Sequence, residues 1–234
     1  MKSDHMEESQ IKEGSLGPID APEHPALQDI HFIDKLPKKR IFGENLEGKL
    51  TGVVEHYDDL GNLASVQNFI DGKLNGEVRH YDQERHLKER INYHEGQPHG
   101  PAEFYKEGRM LMSTHYIQGK PHGFTTYYDE AGLVRARVNF ENGQKHGIAT
   151  AYDRYGRPQR ILQYHYGKLH GPALAYYPDG SLLEEGNYVN HLRHGQFHYY
   201  HQNGQVLRIH HYVHGRIVNK PETFDHKGRP LKVI

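Results

Sequence analysis

The sequence predicts an all-β protein, an elongated single-layer antiparallel β-sheet or solenoid made of about eight β-hairpin repeats. Two observations predict this fold. Glycines four residues apart recur with a step of 24 residues, apart from one step of 23. An aromatic residue follows the second glycine by five residues in every copy. Features that stay in phase along a chain are typical of arrays in which each unit packs on its neighbours.

The glycine pairs mark where each repeat begins. The complete pairs are Gly48 and Gly52, Gly72 and Gly76, Gly96 and Gly100, Gly119 and Gly123, Gly143 and Gly147, and Gly167 and Gly171. His191 replaces the first glycine of the seventh copy, and in the eighth Gly215 is followed by Asn219. A turn glycine follows the aromatic residue, with Arg85 as the one departure, and a second aromatic residue lies eight positions beyond it.

Each repeat is predicted to form one hairpin. In the first copy we expect a strand over residues 53–57, a turn over 58–62, a second strand over 63–70 and a turn over 71–76. Dipeptides such as Asn142-Gly143 tolerate the positive φ of tight turns. Helix is disfavoured because glycine or proline interrupts every run before about ten residues.

The second strand of each repeat alternates between apolar and polar positions. Val134, Val138 and Phe140 stand two, six and eight residues after a turn glycine, and these positions lean apolar throughout. The residue before the closing aromatic is polar in seven copies: Asn68, Asn92, His115, Asn139, Gln163, Asn187 and His211. This alternation predicts one covered face and one wet face.

The repeated unit resembles the MORN repeat. The residues that carry the resemblance are a glycine pair, as in residues 167–171, followed by an aromatic and a turn, as in residues 176–180. It is similar to the bacterial MORN-repeat variant over about residues 48–228. The resemblance implies a twisted, elongated antiparallel sheet with a binding or scaffolding role. Members of that family are often labelled antitoxin-like or immunity-like.

Residues 1–46 precede the repeats and are predicted to form a flexible or partly strand-forming lead or cap, followed by a repeat array over 47–234. The segments Ile30–Ile33 and Arg40–Phe42 are candidate capping strands. A cap is expected because an open sheet edge invites pairing with another chain. Dimerisation by edge pairing or capping is therefore predicted.

Composition argues against several function classes. A net charge of −1 gives no field that favours nucleic acid or an anionic membrane. The chain has no cysteine, which excludes a disulfide framework and a thiolate nucleophile. Motifs of serine hydrolases, zinc proteases and P-loop enzymes are missing. We therefore expect a cytoplasmic protein that is not an enzyme and uses no cofactor.

Histidines form two groups that could suggest a metal site. One is a ladder just before the second glycine: His99, His122, His146, His170 and His194. Successive members are expected ~9.6 Å apart, too far for a metal with ligands at ~2.1 Å, so a turn role is expected and no metal. The other group lies near the C-terminus: His191, His194, His198, His201, His210, His211 and His214. Weak binding of nickel or zinc there is an alternative.

The tyrosines after the glycine pairs are the main candidates for binding a partner: Tyr57, Tyr81, Tyr105, Tyr128, Tyr152, Tyr176 and Tyr200. Their rings are expected first to form the thin core. The preceding positions vary and supply further candidates: His56, His80, Phe104, Tyr127 and Tyr199. Together these predict a long recognition surface.

The function predicted is a non-catalytic scaffold that binds another protein. The family resemblance implies a toxin or effector as that partner. The alternative is a module that associates with membrane lipid, which the neutral charge disfavours. A glycan-binding surface and a hydrolase grafted on the array are further options.

Overall fold

The computed structural model describes residues 38–231, which form one open antiparallel sheet of 20 strands. No helix occurs within this range. The all-β prediction is confirmed. The strands are β1 (Lys38–Leu46), β2 (Lys49–Tyr57), β3 (Leu63–Ile70), β4 (Lys73–Leu74), β5 (Gly76–Tyr81), β6 (Leu87–His94), β7 (Gln97–Lys106), β8 (Arg109–Ile117), β9 (Lys120–Pro121), β10 (Gly123–Tyr128), β11 (Val134–Glu141), β12 (Gln144–Tyr152), β13 (Pro158–His165), β14 (Lys168–Tyr176), β15 (Leu182–Val189), β16 (Leu192–Arg193), β17 (Gly195–Tyr200), β18 (Val206–Val213), β19 (Arg216–Ile217) and β20 (Glu222–Thr223).

The turn that joins one repeat to the next is shorter than predicted. Ile70 pairs with Lys73, so the turn contains only Asp71 and Gly72, with φ of 50° and 77°. Positive φ at both central residues is the type I′ geometry that suits a two-residue hairpin. The strand then resumes, and the second glycine of the pair lies inside the strand rather than in the turn.

The second glycine forms a bulge that the polar residue of the neighbouring strand holds in place. Gly76 has a φ of 100°, and a Cβ there would lie 3.4 Å from Asn68. The amide of Asn68 donates a hydrogen bond to the carbonyl of Glu77 at 2.5 Å. Asn139 donates instead to the carbonyl of His146, the residue before the second glycine of its repeat, at 2.8 Å. The polar position before the closing aromatic therefore bonds a backbone carbonyl beside the bulge.

The turns within the repeats are held by aspartate. Asp58 Oδ1 accepts hydrogen bonds from the backbone N–H groups of Leu60 and Asn62 at 3.0 and 2.7 Å. The same pattern recurs after Asp129, Asp153 and Asp225. Such Asx turns explain why aspartate so often follows the repeat tyrosine.

Acidification is expected to loosen the turn at Asp225. Hydrogen bonds from the backbone and side chain of Arg229 and from the Lys227 backbone lower the pKa of Asp225 to about 2. Because this pKa lies below the ordinary value, the stabilisation is present above about pH 4 and is lost as the pH falls through about 2. An NMR titration of the Lys227 and Arg229 amides should therefore show a transition near pH 2. Asp225→Asn should remove that transition, and a midpoint at or above pH 4 in the parent would contradict the assignment.

The two ends of the array differ. β1 pairs with β2 along its length, from Lys38↔Tyr57 to Leu46↔Lys49, and it contains the strand predicted at Arg40–Phe42. The other candidate, Ile30–Ile33, lies outside the described residues. At the other end, an isolated bridge joins Phe224 to Pro230 after β20. No helix within residues 38–231 is long and apolar enough to cross a membrane.

Candidate binding surfaces

Side chains alternate between two faces, which we name the core face and the outer face. The centre of the core face is a column of cross-strand pairs: Val78↔Ile91, Ala102↔Thr114, Thr125↔Val138, Ala149↔Leu162, Ala173↔Gly186 and Phe197↔His210. Val138, Ala149, Leu162 and Phe197 have no exposed surface. Because the described chain is a single sheet, neighbours on the same face must cover one another.

The repeat tyrosines lie on the outer face, so the expectation that they form the core is wrong. All seven are half-buried, and the register shifts immediately before each of them: Tyr57, Tyr81, Tyr105, Tyr128, Tyr152, Tyr176 and Tyr200. The second and fourth residues after the second glycine alternate onto the opposite face. The core role falls to those positions and to the closing aromatics, such as Tyr116 at 2% exposure.

Several of these tyrosine hydroxyls donate to glutamates on the outer face. Tyr57 donates to Glu55 and Tyr105 to Glu103, each at 2.5 Å. Burial, reinforced by the Glu103 carboxylate, raises the pKa of Tyr105 to about 12. The hydroxyl therefore stays protonated near neutral pH and offers hydrogen bonds rather than a base.

Five candidates precede a repeat tyrosine and lie on the core face: His56, His80, Phe104, Tyr127 and Tyr199. Phe104, Tyr127 and Tyr199 are at most 8% exposed. His80 Nδ1 lies 2.7 Å from Glu89. Burial, and then the charge of Lys39, lowers the pKa of His56. The structure thus divides the twelve predicted residues between opposite faces instead of joining them in one surface.

An exposed apolar row crosses the middle of the outer face. It consists of the residue after the second glycine in four successive repeats: Pro101, Phe124, Ile148 and Pro172. Phe124 is 51% exposed and Ile148 is 53% exposed. The sequence contained the signal, because apolar residues here break the alternation that places this position on the wet face. The row was nevertheless missed.

The apolar row belongs to a wider patch of low charge. The tyrosines of the same repeats stand four residues further along the same strands, ~13 Å from the row. Between them runs a column formed by Ser113, Thr126, Arg137, Thr150, Ile161 and Leu174. Arg137 is its one charged member, and its guanidinium lies over the Phe124 ring at 4.8 Å.

Charged networks bound this patch on the outer face. Toward the N-terminus, Arg90 contacts Glu103 at 2.5 Å and Arg79 contacts Glu77 at 3.2 Å. Such half-exposed pairs contribute little to stability. They separate the middle of the outer face, which has few charges, from the N-terminal part of the sheet.

The core face near the C-terminus contains a buried polar cluster. Arg193 lies 3.3 Å from Glu184, which has no exposed surface. The Arg193 guanidinium donates to the hydroxyls of Tyr199 and Tyr212 at 2.9 Å and of Tyr188 at 3.4 Å. Burial and the Glu184 carboxylate raise the pKa of Tyr199. These donors are engaged within the protein, so the cluster is a packing element.

The distances between neighbouring histidine rings along the ladder are shorter than the strand spacing predicted. The intervening strand supplies His165, whose ring centroid lies 5.1 Å from that of His146 and 5.9 Å from that of His170. The expected turn role holds for His146, which accepts the N–H of Tyr166 at 3.4 Å and packs on its ring. The contribution of the intervening strand could not be read from a repeat pattern alone.

The C-terminal histidines do not form one cluster, although the rings of His194 and His214 lie 5.8 Å apart. His198 lies on the outer face, whereas His210 is buried on the core face. Between residues 38 and 231, the one group of three potential metal ligands within 4.8 Å of one another is Asp82, Glu84 and His86. There the carboxylate of Asp82 already accepts the backbone N–H of His86 at 2.8 Å, as in the other turns.

Comparison with known proteins identifies two of the repeats. A family model described as the MORN repeat variant matches residues 169–190 and 193–214. No curated protein shows a significant match. Among solved structures, the chain has 16% identity to a mutant of S. aureus TarM in complex with fondaparinux, alpha-GlcNAc-glycerol and UDP, covering 51% of this chain and 19% of that chain at a TM-score of 0.24.

A second TarM crystal structure has 12% identity, covering 68% of this chain and 21% of that chain at a TM-score of 0.20. The chain therefore matches only about a fifth of the length of these structures. TM-scores this low carry no argument about fold or function. MORN repeats are generally binding modules. The matched residues span β14 to β18 within the regular array, and the match supports a MORN-repeat protein.

Proposed function

We propose that this chain is a non-catalytic scaffold that binds another protein through the apolar row and the tyrosines beside it. The observation that carries the proposal is the exposure of Phe124 and Ile148 by about half in the middle of a sheet face. Exposed apolar patches rimmed by polar groups mark interaction sites. Tyrosine beside such a patch suits recognition, since it offers a large ring and a hydroxyl at low entropic cost.

The dimensions of the patch suit a protein partner. The four row residues stand on alternate strands, so the row is ~29 Å long and the tyrosines lie ~13 Å to one side. Each of their strands is paired with a neighbour on both sides, although the register shifts on one side of Pro101, Ile148 and Pro172. A rigid surface binds without a large ordering cost, which favours affinity.

The absence of catalysis is part of the proposal. The buried carboxylate of Glu184 is paired with Arg193 on the core face. The pKa values of Tyr105 and Tyr200 are raised to about 12, chiefly by burial, away from the range useful to a general base. These perturbed groups serve packing and hydrogen bonding, which supports a binding role.

The finer proposal is an antitoxin or immunity-type protein whose partner is a toxin or effector. It rests on the resemblance to the MORN-repeat variant. A rigid sheet face of this length would act by covering the partner's active surface. Co-expression tests this: the chain should restore growth to cells that produce the captured partner. If the complex forms firmly but growth is not restored, the chain is a scaffold and the antitoxin role is excluded.

The double variant Phe124→Ser/Ile148→Ser is expected to weaken partner binding by roughly ten- to a hundredfold. Full burial of each side chain would contribute about 1.5–3 kcal/mol, a partner covers only the half that is exposed, and 1.4 kcal/mol is a factor of ten. Affinity capture from the native host, with cross-linking to locate the contact, identifies the partner, and calorimetry measures the loss. The matched control is Leu60→Ser/Tyr155→Ser, two exposed residues in the turns within repeats. Unchanged affinity of the row variant, or firm binding of the parent to anionic vesicles at neutral pH, would overturn the proposal.

A further inference from the structure

Histidines concentrate along one long edge of the sheet. We name the turns between repeats, residues 94–100, 117–123, 141–147, 165–171, 189–195 and 213–219, the histidine edge. These turns contain nine of the 21 histidines in the chain: His94, His99, His122, His146, His165, His170, His191, His194 and His214. The opposite edge, formed by the turns within repeats, contains three: His86, His201 and His226.

The rings on the histidine edge lie close together. Besides the contacts of His165, the ring centroids of His94 and His99 lie 5.8 Å apart, as do those of His194 and His214. Imidazole gains a proton within the range from about pH 5 to 8. Rings at these separations repel one another once charged. A nearby anion would offset that repulsion.

The charges that face the central histidines are mostly positive. Lys168 stands opposite His165 in the register, and the Lys120 side chain lies 3.7 Å from the position a Cβ would take on Gly143. Glu141 contacts His146 at 3.4 Å. From residue 117 onward Glu141 is the single acidic residue of the histidine edge.

The other charged and titratable groups around these rings leave the charge near the central histidines mostly positive. The ammonium of Lys145 lies over the Tyr164 ring at 5.3 Å, and Tyr166 packs on both His146 and His165. His191 Nδ1 accepts the N–H of Leu169 at 3.3 Å. Further along the edge, Arg193 is paired with Glu184 and Arg216 is exposed.

Four of the five ladder histidines also adjoin the apolar row. Each stands two residues before a row residue, across the second glycine: His99 with Pro101, His122 with Phe124, His146 with Ile148, and His170 with Pro172. In β7, β12 and β14, where the strand continues through that glycine, the two residues share a face and are ~6.6 Å apart. An imidazole column and an apolar column therefore run side by side across the middle repeats.

We propose that the histidine edge docks an acidic polypeptide segment, and that it does so more tightly at mildly acidic than at neutral pH. This deepens the proposed function, on which it rests, by giving the chemistry of the partner. Carboxylates of the segment face the imidazoles while its apolar side chains cover the adjoining row. A polyphosphate chain would leave the apolar row uncovered, which is why a polypeptide fits better.

The direction of the pH dependence follows from linkage. A carboxylate placed against an imidazole raises the pKa of that imidazole in the complex. The added affinity is therefore fully present below the pKa of the free protein and is lost as the pH rises through the pKa of the complex. Binding should take up protons.

The test measures fluorescence anisotropy of a labelled 20-residue poly-L-glutamate peptide at pH 5.5 and 7.5. The parent should bind at least tenfold more tightly at pH 5.5. The variant His146→Gln/His165→Gln/His170→Gln should lose that difference. The matched variant His86→Gln/His201→Gln/His226→Gln removes the same number of charges from the opposite edge and should keep it. Circular dichroism at both pH values checks that each variant is folded.

Three outcomes overturn the inference. They are equal binding by the parent at both pH values, equal losses in the two triple variants, and preferential binding of phosphatidylserine vesicles that depends on the same histidines. If the edge variant does not fold, His94→Gln/His99→Gln gives the same test on the exposed pair. Phe124→Ser/Ile148→Ser should keep the pH dependence toward poly-L-glutamate. This variant thereby separates an error in the proposed function, binding through the apolar row, from an error in the proposed role of the histidine edge.

Discussion

Replacing Glu184 with alanine is expected to lower the free energy of unfolding by about 3–5 kcal/mol, because it leaves a buried guanidinium without its carboxylate. Glu184 has no exposed surface, and Arg193 lies between it and a set of tyrosine hydroxyls. The hydroxyls can accept hydrogen bonds from Arg193 but cannot neutralise its charge. The loss should appear in urea unfolding and, because stability in repeat arrays is local, as faster hydrogen exchange in the C-terminal repeats.

Two matched variants separate the ion pair from other causes. Glu185→Ala removes a neighbouring carboxylate that lies on the outer face, 3.6 Å from His198, and should cost no more than about 1 kcal/mol. Glu184→Leu/Arg193→Met replaces the pair with apolar groups and should recover most of the stability lost by Glu184→Ala. A double variant as unstable as Glu184→Ala would show that the hydrogen bonds to the tyrosines, rather than the charge, are what matters.

The fold could be predicted because each glycine of the pattern meets a local backbone demand. Gly72 lies in a turn that requires positive φ, and Gly171 would bring a Cβ to 2.8 Å from Gln163. Such demands do not depend on partners far along the chain. The extent of the repeat array therefore followed from periodicity and patterning alone.

The alternation predicted for the second strand is confirmed, since Val138 and Phe140 are buried, but the core role predicted for the repeat tyrosines is wrong. The tyrosine is the most regular aromatic, and its regularity suggested a core role. Its regular place instead reflects the register shift before it and hydroxyl contacts such as Tyr105 with Glu103. The true core position, two residues after the second glycine, varies from Ala102 to Phe197. Which residue stands at that position depends on its cross-strand neighbours.

The candidate surfaces required the register as well. His165 fills the gap between ladder histidines only because β13 lies between β12 and β14. The apolar row could have been found from the sequence once the covered positions were known. Local backbone rules thus predicted the array, whereas contacts between strands decided which residues meet.

A Cβ added at Gly186 is expected to destabilise the protein as strongly as many core truncations. It would lie 2.3–2.5 Å from three atoms of the Phe197 ring, which has no exposed surface. The ring cannot turn aside, because Tyr188 and Tyr212 pack edge-on against it at 5.6 and 5.1 Å and Arg193 lies over it at 4.9 Å. Gly186→Ala should therefore cost about 1–3 kcal/mol or more through overpacking.

The size match between Gly186 and Phe197 gives this prediction its sharpest form. Phe197→Ala alone should cost about 3–5 kcal/mol, because it leaves a cavity above the glycine. In Gly186→Ala/Phe197→Ala the new methyl group enters that cavity, so the double variant should be no less stable than Phe197→Ala. Free energies of unfolding for the four proteins in a double-mutant cycle measure the coupling. Additive losses would mean that the strand backbone moves to admit the methyl group, and that the large–small alternation along the core face does not set the spacing of the sheet.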